Sequence, residues 1–142
     1  MTPVKCTVID NVPLLHRAGL VLPAELSAFP DCCGAGNGLG EWVVPERVYG
    51  LRISPSCFIH DDDWEEAPPT WDAFRAANSR FLDNLLAQVE TQSRFWPVKF
   101  LRRHRVMDYY GAVTDAHRVF WRLKKRQMTA GLWVEYVLPK NV

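Results

Sequence analysis

The sequence has no apolar run near the ~20 residues a helix needs to cross a bilayer. Its opening, MTPVKCTVIDNVPLLHR, lacks the basic start and continuous apolar middle of a secretory signal. The expectation is therefore synthesis and retention in a cytosol, or exit by a route that needs no signal. No internal repeat, low-complexity tract or break in composition divides the chain, so residues 1–142 are expected to form a single domain. Cysteine is scarce, and Cys6, Cys32, Cys33 and Cys57 fit no zinc pattern, because Cys32 and Cys33 are adjacent. That leaves buried free thiols or a single bridge from the 32–33 pair to Cys57. Glycine is sparse everywhere except in DCCGAGNGLG, residues 31–40, which holds four of the eight glycines and reads as a loop with unusual backbone freedom.

What the chain does have is enough apolar residue, 48% with 12% aromatic, for a compact core without a metal or a disulfide to force it. The net charge of +1 conceals an asymmetry. Between Lys99 and Arg126 nine Lys and Arg face only Asp108 and Asp115, a local +7, so the remainder sums to −6. An acidic focus around Asp61, Asp62, Asp63, Glu65 and Glu66 beside basic helical sequence suits a cation site near an anionic partner surface. Two ordinary solvated faces would account for most of the same charges.

Pattern and punctuation predict a mainly α fold with a small β element. Val4 to Ile9 reads as a strand, followed by loop and a turn of helix. Trp42 to Ile53 reads as extended, interrupted by Pro45 and Gly50. A helix is expected from Ser54, a natural N-cap with Pro55 at the first helical position, to Glu66, stopped by Pro68-Pro69. A second, capped by Thr70, is expected over Trp71 to Thr91 on an apolar stripe of Trp71, Phe74, position 78, Phe81, Leu85 and Val89. A third, long helix is expected from Val98 to Lys125, with Leu101, Val106, Tyr109, Tyr110, Val113, His117, Phe120 and Trp121 inward. Leu132 to Leu138, LWVEYVL, reads as a strand that could pair with the N-terminal one.

Two places in this pattern call for chemistry. In SPSCFIHDDDW, helical spacing puts Cys57, His60, Asp61 and Trp64 on one face, an odd surface for a core and a good one for a site. In the second helix, position 78 of the apolar stripe is Asn. Buried there, it needs a hydrogen-bond partner or costs about 1–3 kcal/mol.

The glycine loop and the first helix together, CGAGNGLGEWVVPERVYGLRISPSCFIHDDDW, resemble the phospholipase A2 superfamily, and within it the small phage- and prophage-associated proteins. The motifs behind the resemblance are a Cys-Gly-x-Gly loop and a helix bearing Cys-x-x-His-Asp, and it extends over about residues 31 to 90. It implies two antiparallel helices carrying the site, a third long helix and a short terminal sheet. It also implies a Ca2+ ion held by the carbonyls of Cys32, Gly34 and Gly36 and the Asp61 carboxylate, with a Cys33–Cys57 bridge fixing loop to helix. His60 would be the general base for water attacking a phospholipid acyl ester, and Asn78 would orient it. The sequence departs from the superfamily in having Asn78 where relatives have Asp, and Trp64 where an aromatic hydroxyl often sits.

Three function classes follow. The first is a calcium-dependent lipid esterase, with phospholipid or an anionic membrane surface as partner. Its Lys99–Arg105 and Arg118–Arg126 clusters would meet headgroups. The second is a virion or tail protein that keeps the fold with weak or no catalysis, partnered by other virion proteins and incorporated in a phage particle. Asn78 and Trp64 favour this one. The third, an HD-type metal phosphohydrolase, ranks last, because His16, His104 and His117 supply no recognisable ligand spacing. No base-reading motif accompanies the basic clusters, so no nucleic-acid specificity is expected.

Overall fold

The computed structural model describes residues 3–31 and 45–142. Its described part is mainly helical, with two small antiparallel hairpins ahead of four helices. The first hairpin pairs β1, Val4–Ile9, with β2, Val12–Arg17, in the register Ile9↔Val12 through Val4↔Arg17. Its two-residue loop is Asp10-Asn11, both at positive φ (48° and 68°), the backbone whose twist matches that of the flanking strands. The sequence reading put loop and helix where β2 lies. Asp-Asn is a turn signal that it did not use, and Pro13 sits at the β2 end nearest the turn. A turn of 3-10 helix, Leu26–Ala28, follows. The second hairpin, β3 (Arg47–Val48) with β4 (Leu51–Arg52), turns at Tyr49-Gly50, again both at positive φ.

The helices are α1 (Ser54–Glu66), α2 (Trp71–Gln92), α3 (Trp96–Asp115) and α4 (His117–Thr129). The bounds of α1 are those expected, but its cap is Ile53, and Ser54 lies inside the helix with its hydroxyl donating to Glu46 and Asp31. Thr70 does cap α2, accepting from the Ala73 amide at 3.1 Å. Contacts run Ser56 to Gln88, His60 to Asn78 and Phe81, and Trp64 to Phe74, so α1 and α2 are antiparallel. α2 and α3 are antiparallel as well, joined from Asn78–Val113 at one end to Glu90–Lys99 at the other.

Two sequence expectations are corrected. The long third helix is two helices, divided at Ala116, whose ψ of 25° takes it off the helical path. No proline or glycine marks the break. The LWVEYVL segment is not a strand and pairs with no strand among the described residues: Trp133 takes a positive φ of 58°, and Val134 and Val137 are more than four-fifths exposed. The sheet at the N-terminus is thus the local β1–β2 hairpin alone.

α1 stands between two apolar clusters. Its Ile59 joins Ile9, Val12, Leu14, Leu26 and Phe29 under the first hairpin, while Cys57 and Trp64 join the larger cluster of α2, α3 and α4. Being covered on both sides explains why α1 shows no simple amphipathic stripe. The larger cluster is aromatic. Trp64, Trp71, Phe74, Phe120 and Trp121 meet one another with ring centroids 5.0–5.8 Å apart. This packing holds the start of α2 and the end of α1 against α4, beside the candidate site.

Candidate functional site

The site is built on one antiparallel pair, because antiparallel α1 and α2 bring positions 60 and 78 level. His60 is 2% exposed and Asn78 equally so. Atom Nε2 of His60 lies 2.8 Å from Asn78 Oδ1, and the Trp64 indole N–H donates to that same oxygen at 3.0 Å. An indole nitrogen can only donate, so the shared atom must be the amide oxygen. Asn78 Nδ2, pointing the other way, donates to the Val113 carbonyl at 3.3 Å. The network therefore assigns the proton: Nε2 of His60 carries hydrogen, and Nδ1 keeps its lone pair. Nδ1 has no hydrogen-bond partner among the described residues.

The imidazole is held between rings, 4.5 Å from the centroid of Phe81 and 4.7 Å from that of Trp64. This burial drives its pKa down to about 4, against which the Asn78 hydrogen bond works only weakly. His60 is accordingly a neutral base across the physiological range.

Asp61, one residue on, is half-buried and has no hydrogen-bond or ion-pair partner among the described residues. Burial first, then the like charges of Glu46 and Glu65, push its pKa up to about 7. The other two acids of the run are engaged otherwise. Asp62 takes a bidentate bond from Arg17 of β2, at 2.9 and 3.0 Å, and Asp63 is paired with Arg80 of α2. Solvated helix faces would have left Asp62 and Asp63 in water. Instead they tie α1 to its two neighbours, and Asp61 is the carboxylate left over.

Asp61 opens on a cavity of about 320 Å³ whose far wall is α4 and the turn after it: Leu123, Arg126, Gln127, Ala130 and Leu132. Sequence reading missed this wall, because it ended the third helix at Lys125. The signal was present in the polar residues that α4 buries. Lys124 and Gln127 both reach the Glu65 carbonyl, at 3.0 and 2.9 Å, capping the last turn of α1 where helix carbonyls lose their internal donors. Tyr109 of α3 is buried in the core, as expected of it, and stacks under Arg105. His16 is structural, bonded to Thr7 and the Arg17 carbonyl.

The remaining expected site residues, Cys32, Gly34 and Gly36, lie outside the described residues, as does Cys33. Cys57 is disulfide-bonded to a partner outside the described residues, and Cys6 is a free, exposed thiol. Among the described residues, no three His, Cys, Asp or Glu side chains converge as a metal-binding group. Nor, among them, is any helix long and apolar enough to cross a membrane.

No protein-family model matches the chain, and no curated protein or solved structure matches it either.

Proposed function

We propose that this protein is a calcium-dependent phospholipid acyl-ester hydrolase of the phospholipase A2 kind, with His60 as general base and Asp61 as the carboxylate ligand. The observation that carries this reading is the tautomer of His60, with Nδ1 unprotonated and, among the described residues, without a partner, one residue from a carboxylate that likewise has none among them. Asp61 fits a hard cation: it offers carboxylate oxygens and sits in a field of like charge that a cation would relieve. Glu46 and Glu65 contribute charge without converging on it as ligands. The rest of the coordination would fall, as the resemblance implies, to the carbonyls of Cys32, Gly34 and Gly36, which lie outside the described residues.

Bound calcium would polarise the ester carbonyl and stabilise the negative charge that develops on its oxygen. His60 Nδ1 takes a proton from water as the water oxygen bonds to the carbonyl carbon. The ester C–O bond then breaks, the departing alcohol oxygen recovers that proton from Nδ1, and His60 returns to its neutral form. Asn78 Oδ1 holds the Nε2 hydrogen throughout, keeping the ring aimed. Asn78 adds no charge opposite the transient imidazolium, so turnover is slower than an aspartate would support.

A second reading, a virion or tail protein with this fold and no efficient catalysis, is favoured by the depth of His60, 2% exposed between two rings. Fatty-acid release from mixed phospholipid vesicles separates the two. The hydrolase reading expects release with calcium and none with chelator, His60→Ala or Asp61→Asn. Folded protein that releases nothing in any condition moves the conclusion to the second reading.

A further inference from the structure

The first half of α3 is turned inside out. The buried face of the helix is made in its second half by Val106, Tyr109 and Val113, and in its first half by Arg102, which donates to the Val48 and Tyr49 carbonyls and to the Ser93 hydroxyl. These contacts fix the roll of the helix. The opposite face carries Trp96, 74% exposed, Phe100, 57%, and Met107, 48%, with Phe95 exposed at the cap. At about 100° per residue, those three helical positions fall within roughly 40° of one another, a narrow apolar stripe on the solvent side. Lys99 and Arg103 flank it on one side and His104, its ring 5.7 Å from that of Phe100, borders it on the other, with Arg94 just before the helix. From Trp96 to Met107 there are four cations and no carboxylate. Glu90 of α2 meets Lys99 and Arg103, and with Arg94 beside them the face remains basic.

We propose that this face of α3 is the surface by which the protein docks on an anionic phospholipid bilayer. Trp and Phe, amphipathic or apolar rings on a rigid helix, enter the headgroup boundary while flanking Lys and Arg meet lipid phosphates. A second copy of the chain is a poor occupant, since two such faces would set like charges against each other. The basic face of α4 does not compete as the docking site: its exposed Arg118, Arg122, Lys125 and Arg126 have no exposed apolar stripe between them. The docking requires no hydrolysis, so it is tested independently of the reading above.

The experiment is flotation of the full chain, in excess chelator, with vesicles of phosphatidylcholine alone and of phosphatidylcholine with phosphatidylglycerol. Binding is expected to the anionic vesicles, falling with added salt. The pair Trp96→Ser with Phe100→Ser weakens it about tenfold or more, and the pair Arg94→Ala with Arg103→Ala reduces the preference for anionic lipid. If circular dichroism shows the first pair unfolded, the arginine pair decides. Folded wild type that does not float with anionic vesicles overturns the proposal, as do variants that all float like wild type. Concentration-dependent self-association abolished by Phe100→Ser would instead assign the face to a second copy.

Discussion

Asn78 Nδ2 donates to the carbonyl of Val113 at 3.3 Å, in the last turn of α3 where that carbonyl has lost its place in the helical ladder. The contact gives a physical reason for an amide where the resembling superfamily has a carboxylate. One end of the side chain must accept from two donors, the His60 ring and the Trp64 indole, while the other must donate to a carbonyl. Only an amide does both. An ionised aspartate would set its second oxygen against the Val113 oxygen, two acceptors with no hydrogen between them.

Asn78→Asp is therefore expected to destabilise the protein by about 1–3 kcal/mol, the cost of a buried polar group left without its partner. Urea unfolding of variant and wild type at neutral pH measures it. A variant at least as stable as wild type would sink this account of the residue.

Asn84 plays the same double role toward the first hairpin. Its Oδ1 accepts from the Leu15 amide at 2.8 Å and its Nδ2 donates to the Leu15 carbonyl at 2.9 Å, closing the edge of β2 that β1 does not cover. The residue is 1% exposed. Asn84→Ala leaves both backbone groups unpaired and is expected to cost about 2–4 kcal/mol, at roughly 1–2 for each lost bond. Hydrogen exchange supplies the second check: the Leu15 amide should lose protection in the variant while amides of α3 keep theirs. Unchanged protection at Leu15 would show that the clamp is dispensable.

Lys124, fully buried, gives a pH dependence of predictable sign. Desolvation lowers its pKa from 10.5 to about 8, with Glu65 and Glu66 opposing. Between those two values the folded protein has released the proton and the unfolded chain still holds it. The unfolded state then binds more protons, so this residue makes stability rise with pH from about 8 to 10.5. The stability of wild type relative to Lys124→Met should grow across that window by at most about 3 kcal/mol. Paired urea titrations over the window would read it, and a difference that stays flat with pH would contradict the shift.

The helical reading of residues 54–92 was legible because every signal there is local. Pro55 and Pro68-Pro69 bound α1, Thr70 caps α2, and the period of Phe74, Phe81, Leu85 and Val89 selects the face that α2 buries. Two antiparallel helices joined by a short link bring His60 opposite Asn78, the pairing 18 residues apart that the resemblance implied. The LWVEYVL segment failed for the complementary reason. Its apolar content suits a strand, but a strand exists only where a neighbour offers a ladder, and none among the described residues does. Leu101 failed similarly: expected inward, it lies 47% exposed, because α3 is rolled by Arg102 reaching three partners on other elements.

By itself, then, the sequence determined the helical class, the extents of α1 and α2, and the need of Asn78 for a buried partner, since propensity, caps and period act over a few residues; His60 as that partner came from the resemblance. The tertiary structure alone decided which proton His60 carries, that Asp62 and Asp63 are paired while Asp61 has no partner among the described residues, where α3 gives way to α4, and which face of α3 meets solvent. Each of those depends on a partner distant in sequence, the Trp64 indole, Arg17 and Arg80, the Val113 carbonyl, or the Tyr49 turn, and no local pattern encodes where such a partner will stand.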